Sequence, residues 1–319
     1  MQPPAVPCRP MTVIVRDLRP DDRADVEGFA RVRHRALPFI LWSPEGILHH
    51  LERTHPAARF RSLVAEEEGE VIGSAQVSLA HDSPEPGQGM LNIYVDPERT
   101  RRGAGGLLVR AAEEHLAAHG ARTLYAWVLD EPGNRAFAVR HGYRASRSAH
   151  FLRRDLAGTA LPAQAPLPPG VELRTAADYA DDPRPLFELD AETVADEPSD
   201  VDSEVTDYAA WVAGTWENPL LNRELTVVAV VDGRPAAFSA TVTDGTGRCA
   251  AAMTGTARAF RGRGLAKLVK NAALHRARAA GLNEALTGND TGNGAMLAIN
   301  AWLGYEVCAT EVRHVRELG

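Results

Sequence analysis

The segment of this chain best equipped for chemistry is Arg261-Gly262-Arg263-Gly264-Leu265-Ala266, two arginines and two glycines set between a strand-like apolar run and a long helix-like one. Glycines at such a junction let successive backbone N–H groups turn toward one point, and the helix start adds its positive end. The loop is therefore a nest for a phosphate or pyrophosphate, with the arginines supplying charge and forked donors around the same anion. It lacks the GxxxxGK[ST] pattern, which excludes a P-loop nucleotide hydrolase.

The elements that must hold this loop occur twice along the chain. Residues 12–22 and 170–179 each read as a short strand, an arginine and an acidic helix entry. Residues 62–79 and 226–243 each read as a hairpin, turning at Glu68-Gly69-Glu70 and at Asp232-Gly233, residue pairs that tolerate the positive φ of tight turns. Strands at 91–95 and 250–256 then run into Arg/Gly-rich loops and helices over 106–119 and 266–280, with Gly120 and Gly281 placed to end them. Another strand and a short helix close each copy, at His141-Gly142-Tyr143 and Leu303-Gly304-Tyr305. The strands come in runs, so the expected class is α/β of the α+β kind, each half a mixed, mostly antiparallel sheet flanked by helices, and a doubly wound nucleotide fold is disfavoured. Residues 157–170, with four prolines and no charge, read as a linker between halves at 11–156 and 171–319.

The 319 residues suit two domains at about 150 residues each. No apolar run reaches the roughly 20 residues of a membrane span, and Met1 to Pro10 has no apolar secretory segment. Cys8, Cys249 and Cys308 form no paired framework, which points to the reducing cytoplasm. His34, His49, His50 and His55 lack metal-binding spacing, so no metal is expected. A net charge of −7 disfavours nucleic acid as a partner, but the charge is uneven: residues 181–207 hold eleven acids against Arg184 alone, while residues 31–61 are mostly basic.

With both loops and both closing segments in order, the chain resembles the GCN5-related N-acetyltransferase (GNAT) superfamily, as a tandem two-domain member. That family's pyrophosphate loop has the form Gln/Arg-x-x-Gly-x-Gly/Ala, which Arg261 to Ala266 matches throughout. The first half offers Arg101-Arg102-Gly103-Ala104-Gly105-Gly106 in register, with Thr100 where the leading Gln or Arg belongs. The later signature, Asn-x-x-Ala-x-x-Leu-Tyr-x-x-x-Gly-Phe/Tyr, appears as the segment from Asn293 to Tyr305, in register at its Asn, Gly and Tyr, and more loosely as that from Glu131 to Tyr143.

The resemblance implies acetyl-CoA or another acyl-CoA as cofactor, with its pantetheine along the fourth strand of each half. Backbone near Thr254 and Thr256, and near Val95, would pair with it as an added strand does. Asn289 and Asn293 are candidate contacts to the cofactor arm, with a loop cap as the equal alternative. The tyrosine that many members use to protonate the leaving thiolate is replaced by Asn300 in the second half and Ala138 in the first. An amine with a pKa of about 10.4 must lose a proton before it attacks, so a base is needed. Residues 248–256 contain no carboxylate, which leaves Glu284, Asp290 or an acid within 190–207. The expected activity is N-acetyl transfer to a small, cationic primary amine in the second half, drawn in by the acidic wall, with the first half expected to be a degenerate copy in a structural or cofactor-holding role. A non-catalytic acyl-CoA sensor and an O-acyltransferase are the alternatives. Oligomeric state and acceptor identity are not specified by the sequence.

Overall fold

The computed structural model describes residues 12–202 and 204–318; Cys8, the segment Met1 to Pro10 and the expected start of the first half at Met11 lie outside them. The first half contains β1 (Val13–Asp17), α1 (Arg23–Ala36), α2 (Pro44–Arg53), β2 (Arg61–Glu67), β3 (Glu70–Leu79), β4 (Gln88–Val95), α3 (Ala104–Ala118), β5 (Thr123–Leu129), α4 (Pro132–Arg140) and β6 (Arg144–Asp155). The second repeats the order with β7 (Val171–Thr175), α5 (Arg184–Val194), α6 (Tyr208–Trp211), β8 (Val227–Val231), β9 (Arg234–Thr243), β10 (Arg248–Thr256), α7 (Leu265–Ala279), β11 (Glu284–Asp290), α8 (Gly294–Trp302) and β12 (Glu306–Glu317). Residues 157–170 form neither helix nor strand; Asn271 and His275 of α7 hydrogen-bond to the Pro162 carbonyl there.

Local chemistry accounts for these elements. Both hairpins turn on a residue pair in the left-handed region, Glu68 and Gly69 at φ 53° and 83°, Asp232 and Gly233 at 50° and 79°, as a two-residue turn matched to the strand twist requires. Helices α3 and α7 open on Gly103 and Gly264 and stop at Gly120 and Gly281, all four with positive φ. On β4, Leu91, Ile93 and Val95 face α3, whereas Tyr94 faces α1 and α2. The period of two thus gives each sheet face its own helical layer.

The sheet itself departs from two self-contained copies. All twelve strands form one sheet in the order β1-β2-β3-β4-β5-β12-β6-β11-β10-β9-β8-β7. The last strand of each half has crossed over: β12 pairs with β5 of the first half, and β6 pairs with β11 of the second. The two exchanged strands then pair with each other antiparallel, from Glu306↔Arg153 to Val315↔Arg144. Within each half one pair is parallel, β4 with β5 and β10 with β11, and every other pairing is antiparallel.

Candidate active site

The parallel pair of the second half is short. β10 and β11 are in register from Arg248↔Glu284 to Ala251↔Thr287 and then part, just where β10 carries a bulge between Ala251 and Met253. Beyond that point both strands continue unpaired with each other, to Thr256 and to Asp290, leaving a wedge whose β10 wall ends on the Arg/Gly loop. Backbone N–H and C=O groups along such an opening need a partner, and an extended amide-bearing ligand fits them. At the loop, Gly262 and Gly264 have φ of 74° and 75°, and a Cβ built on either would touch nothing. These glycines are there for backbone shape, and their outer side is clear for a ligand. The first N–H groups of α7 have no carbonyl within the helix to bond, so they point into the same space.

The loop arginine is engaged before any anion arrives. Arg261 pairs with Asp196, just past the end of α5, and Arg258 binds the same carboxylate in a fork with both contacts at 2.8 Å. The two guanidinium groups hold the Asp196 carboxyl well below its usual range. Glu192 accepts from the Arg258 backbone N–H at 2.6 Å. Farther along, Asp200 pairs with Arg313 at 3.3 Å and Pro198 accepts from Arg147 at 2.9 Å. Of the eleven acids in the run, Asp196 and Asp200 are thus ion-paired among the described residues, with arginines of the loop region and of β12.

Two acids of that run without an ion pair among the described residues have their carboxyls shifted upward, Asp190 and Glu197. Asp190 on α5 accepts from the Trp211 indole at 2.7 Å, and burial raises its carboxyl despite that bond. Burial also raises Glu197, with Arg147 pulling it down and Asp190 pushing it up. Helix α5 lies tight on β10: a Cβ at Gly255 would overlap Thr193, so only glycine admits the helix there. Trp211 and Trp216 pack in the core behind this helix.

The carboxylates singled out beside β11 fare differently. Glu284 stands at the closed end of the β10–β11 pair, beside Arg153 at 3.7 Å. At about 3.3 Å per residue its place is on the order of 10 Å from the opening, too far to serve a reacting thioester. Asp290 is at the open end, 3.1 Å from the Arg147 guanidinium, and also accepts from the Gly292 backbone. Asn300 is fully buried and donates to Asn289 Oδ1 at 2.5 Å, while its own Oδ1 finds no partner among the described residues. Asn289 lies just past the β10–β11 pairing, which ends at Thr287, so it stands at the mouth of the wedge with the buried Asn300 behind it. Asn293 instead caps α8, accepting from the Met296 backbone at 3.2 Å. The Thr254 hydroxyl lies 3.3 Å from that of Ser239, and the Thr256 hydroxyl is buried without a partner among the described residues.

The first half repeats this geometry. β4 and β5 are in register only from Gln88↔Thr123 to Met90↔Tyr125 and then part, and the β4 wall, ending at Val95, leads to Arg101, Arg102 and Gly103 with Arg101 and Gly103 at positive φ. Ala104, Gly105 and Gly106 start α3, and Gly105 lies against Phe137. Arg102 is tied to Glu67 at 2.6 Å. Ala138 is packed in the core.

Comparison with known proteins matches these two units. The acetyltransferase (GNAT) family model fits residues 28–143 and again 186–305. The chain belongs to the GNAT acetyltransferase family. Its relatives include a mycothiol acetyltransferase from Nocardia farcinica, 32% identical over 258 residues that cover 80% of this chain and 82% of that one. A second, from Kineococcus radiotolerans, is 31% identical over 254 residues, covering 79% and 80%. Among solved structures, a tandem GNAT protein from the clavulanic acid biosynthesis pathway superposes with a TM-score of 0.72 at 23% identity, covering 97% of this chain and 99% of that one. A GCN5-related N-acetyltransferase from Sphaerobacter thermophilus gives 0.70 at 22% identity, covering 96% and 95%. The protein is thus a tandem GNAT enzyme, an N-acetyltransferase by family, whose members take their acyl group from acetyl-CoA or another acyl-CoA and include acetyltransferases of small molecules. No helix among the described residues is long and apolar enough to cross a membrane.

Proposed function

We propose that the protein transfers an acetyl group from acetyl-CoA to the primary amine of a small metabolite, and that the second half carries out this reaction. The observation that carries the reading is the wedge past Ala251 and Thr287, with Asn289 at its mouth backed by Asn300, running to a glycine loop with open space outside it. Gly262 to Ala266 and the start of α7 hold the pyrophosphate, and the free edge of β10 from Met253 to Thr256 aligns the pantetheine. Asp190 and Glu197, carboxyls raised by burial, stand on the α5 side and take the proton from the incoming ammonium. Asn300 steadies the sulfur side: with both amides of the Asn289 pair turned over, its free atom becomes an N–H donor, and such an orientation is a matter of the hydrogen-bond network. A thiolate with a pKa near 8.5 leaves readily with that modest help.

The relatives' names put mycothiol chemistry first among acceptors to assay, followed by a panel of small primary amines and hydroxyl-only analogues. Release of free CoA thiol with an amine, abolished by Arg261→Ala combined with Gly264→Asp, is the expected result. Thermal stabilisation by CoA with no thiol release in any case would replace this reading by that of an acyl-CoA sensor, and release with hydroxyl-only acceptors by O-acyl transfer.

A further inference from the structure

The exchange of last strands places a carboxylate of the second half's sequence inside the first half. Glu311 lies on β12 opposite Leu129, at the open end of β5, and its side chain makes no hydrogen bond or ion pair among the described residues. Its counterpart by register on the other exchanged strand is Ala149, opposite Asp290, so the second half has nothing equivalent. Across the β4–β5 opening stands Tyr94, whose hydroxyl is likewise unbonded and whose ionisation is further opposed by the Glu311 charge. Behind the Tyr94 ring lies Arg33 of α1, 1% exposed, with its guanidinium 4.7 Å from that ring and 3.9 Å from the Trp42 ring. Its Nε and Nη1 have no hydrogen-bond partner among the described residues. A buried guanidinium that meets ring faces and no hydrogen-bond acceptor among the described residues fixes Tyr94 in place at a cost in stability, which a purely structural residue would not need.

We propose that the first half holds a second acyl-transfer centre, completed by Glu311 of the second half's last strand as proton acceptor for a small primary amine, with Tyr94 bordering the reacting thioester. The nitrogen lone pair, freed when Glu311 takes a proton from the ammonium, forms the new C–N bond to the acyl carbon. The C–S bond breaks and CoA leaves as the thiolate, with the second amine proton passing to water or back to sulfur. Tyr94 donates its O–H toward the developing oxyanion, and Arg33 is a positioning residue acting through the Tyr94 ring. Glu311 is suited to this work because burial lifts its carboxyl to about 7, against a smaller lowering by Arg313. The other charged or titratable groups around the cleft are Tyr94 and Arg33 with His49 and His50 on the helix side, Arg147 on β6, and Asp200, which reaches over from the second half to pair with Arg313.

The test uses the full-length protein with acetyl-CoA and a panel of small primary amines, comparing Glu311→Gln, Asn300→Ala and the double variant. At least one amine should lose about 100-fold in kcat/KM with Glu311→Gln, losing the acid limb near pH 7 as well, while another is insensitive to it and falls with Asn300→Ala. Titration calorimetry should count two acetyl-CoA per chain. Arg33→Met should lower kcat at the Glu311-dependent amine with KM little changed, and should not lower the melting temperature. A single bound acetyl-CoA, or a panel in which no amine depends on Glu311, overturns the proposal.

Discussion

Individual residues decide where this protein stores ionisable groups out of water. Lys270 of α7 is 3% exposed, meets no carboxylate among the described residues, and has its ammonium pushed down to about 8 by burial alone. A base with a depressed folded pKa binds fewer protons folded than unfolded between about 8 and 10.5, so stability rises with pH across that window. Lys270→Met should therefore stabilise the protein at pH 7 by about 3 kcal/mol, with the gain fading toward pH 10, as denaturant midpoints at several pH values would show. Glu311 runs the other way. Its folded carboxyl, at about 7 rather than 4.5, keeps a proton that the unfolded chain has lost, so stability falls as pH rises through that interval and Glu311→Gln should remove the slope. At Asn300, replacement by Leu should cut turnover at second-half acceptors at least tenfold with little change in melting temperature, since removal of one unpartnered buried oxygen offsets the lost N–H bond to Asn289.

At the scale of elements, the motif reading was strongest where backbone conformation dictates residue type. Gly103, Gly264, Gly120 and Gly281 bracket α3 and α7 within two residues of the expected bounds, because positive φ leaves little choice but glycine. The same reasoning located the hairpins. It failed on side chains whose meaning depends on distant partners. The acidic run announced its charge, yet nothing in it announced that Asp196 meets Arg258 and Arg261 while Asp190 stays unpaired. Glu284 looked suitable because it adjoins the fifth strand of its half, and only the register reveals that it sits at the closed end. The clasp between α5 and the loop has its own consequence. Asp196→Asn should free Arg261 for the cofactor's phosphates and tighten acetyl-CoA binding severalfold in calorimetry at low salt, with the difference shrinking at high salt.

For the whole molecule, the repeat was legible and the exchange was not. Alternation fixes which face of a strand is buried but is indifferent to which copy of an equivalent edge it joins, and β6 and β12 fit two such edges. The result is a single sheet with its middle built from both ends of the sequence, so the chain should unfold in one calorimetric transition despite its two family units. Fragments 1–156 and 157–319 produced separately should each expose an unpaired last strand and aggregate, whereas their co-expression should give a complex that co-elutes at the size of the intact chain.

The exchanged strands also bear on how such a protein arises. Two half-length copies could finish each other's sheets in this way, each lending its final strand across a twofold axis, as in a domain-swapped homodimer. Fusing their genes would then require only a tether such as residues 157–170, with no new fold. It would also release the copies to diverge: once joined, an acid such as Glu311 need appear on one borrowed strand only, and the ancestral symmetry of the two clefts is broken by a single substitution.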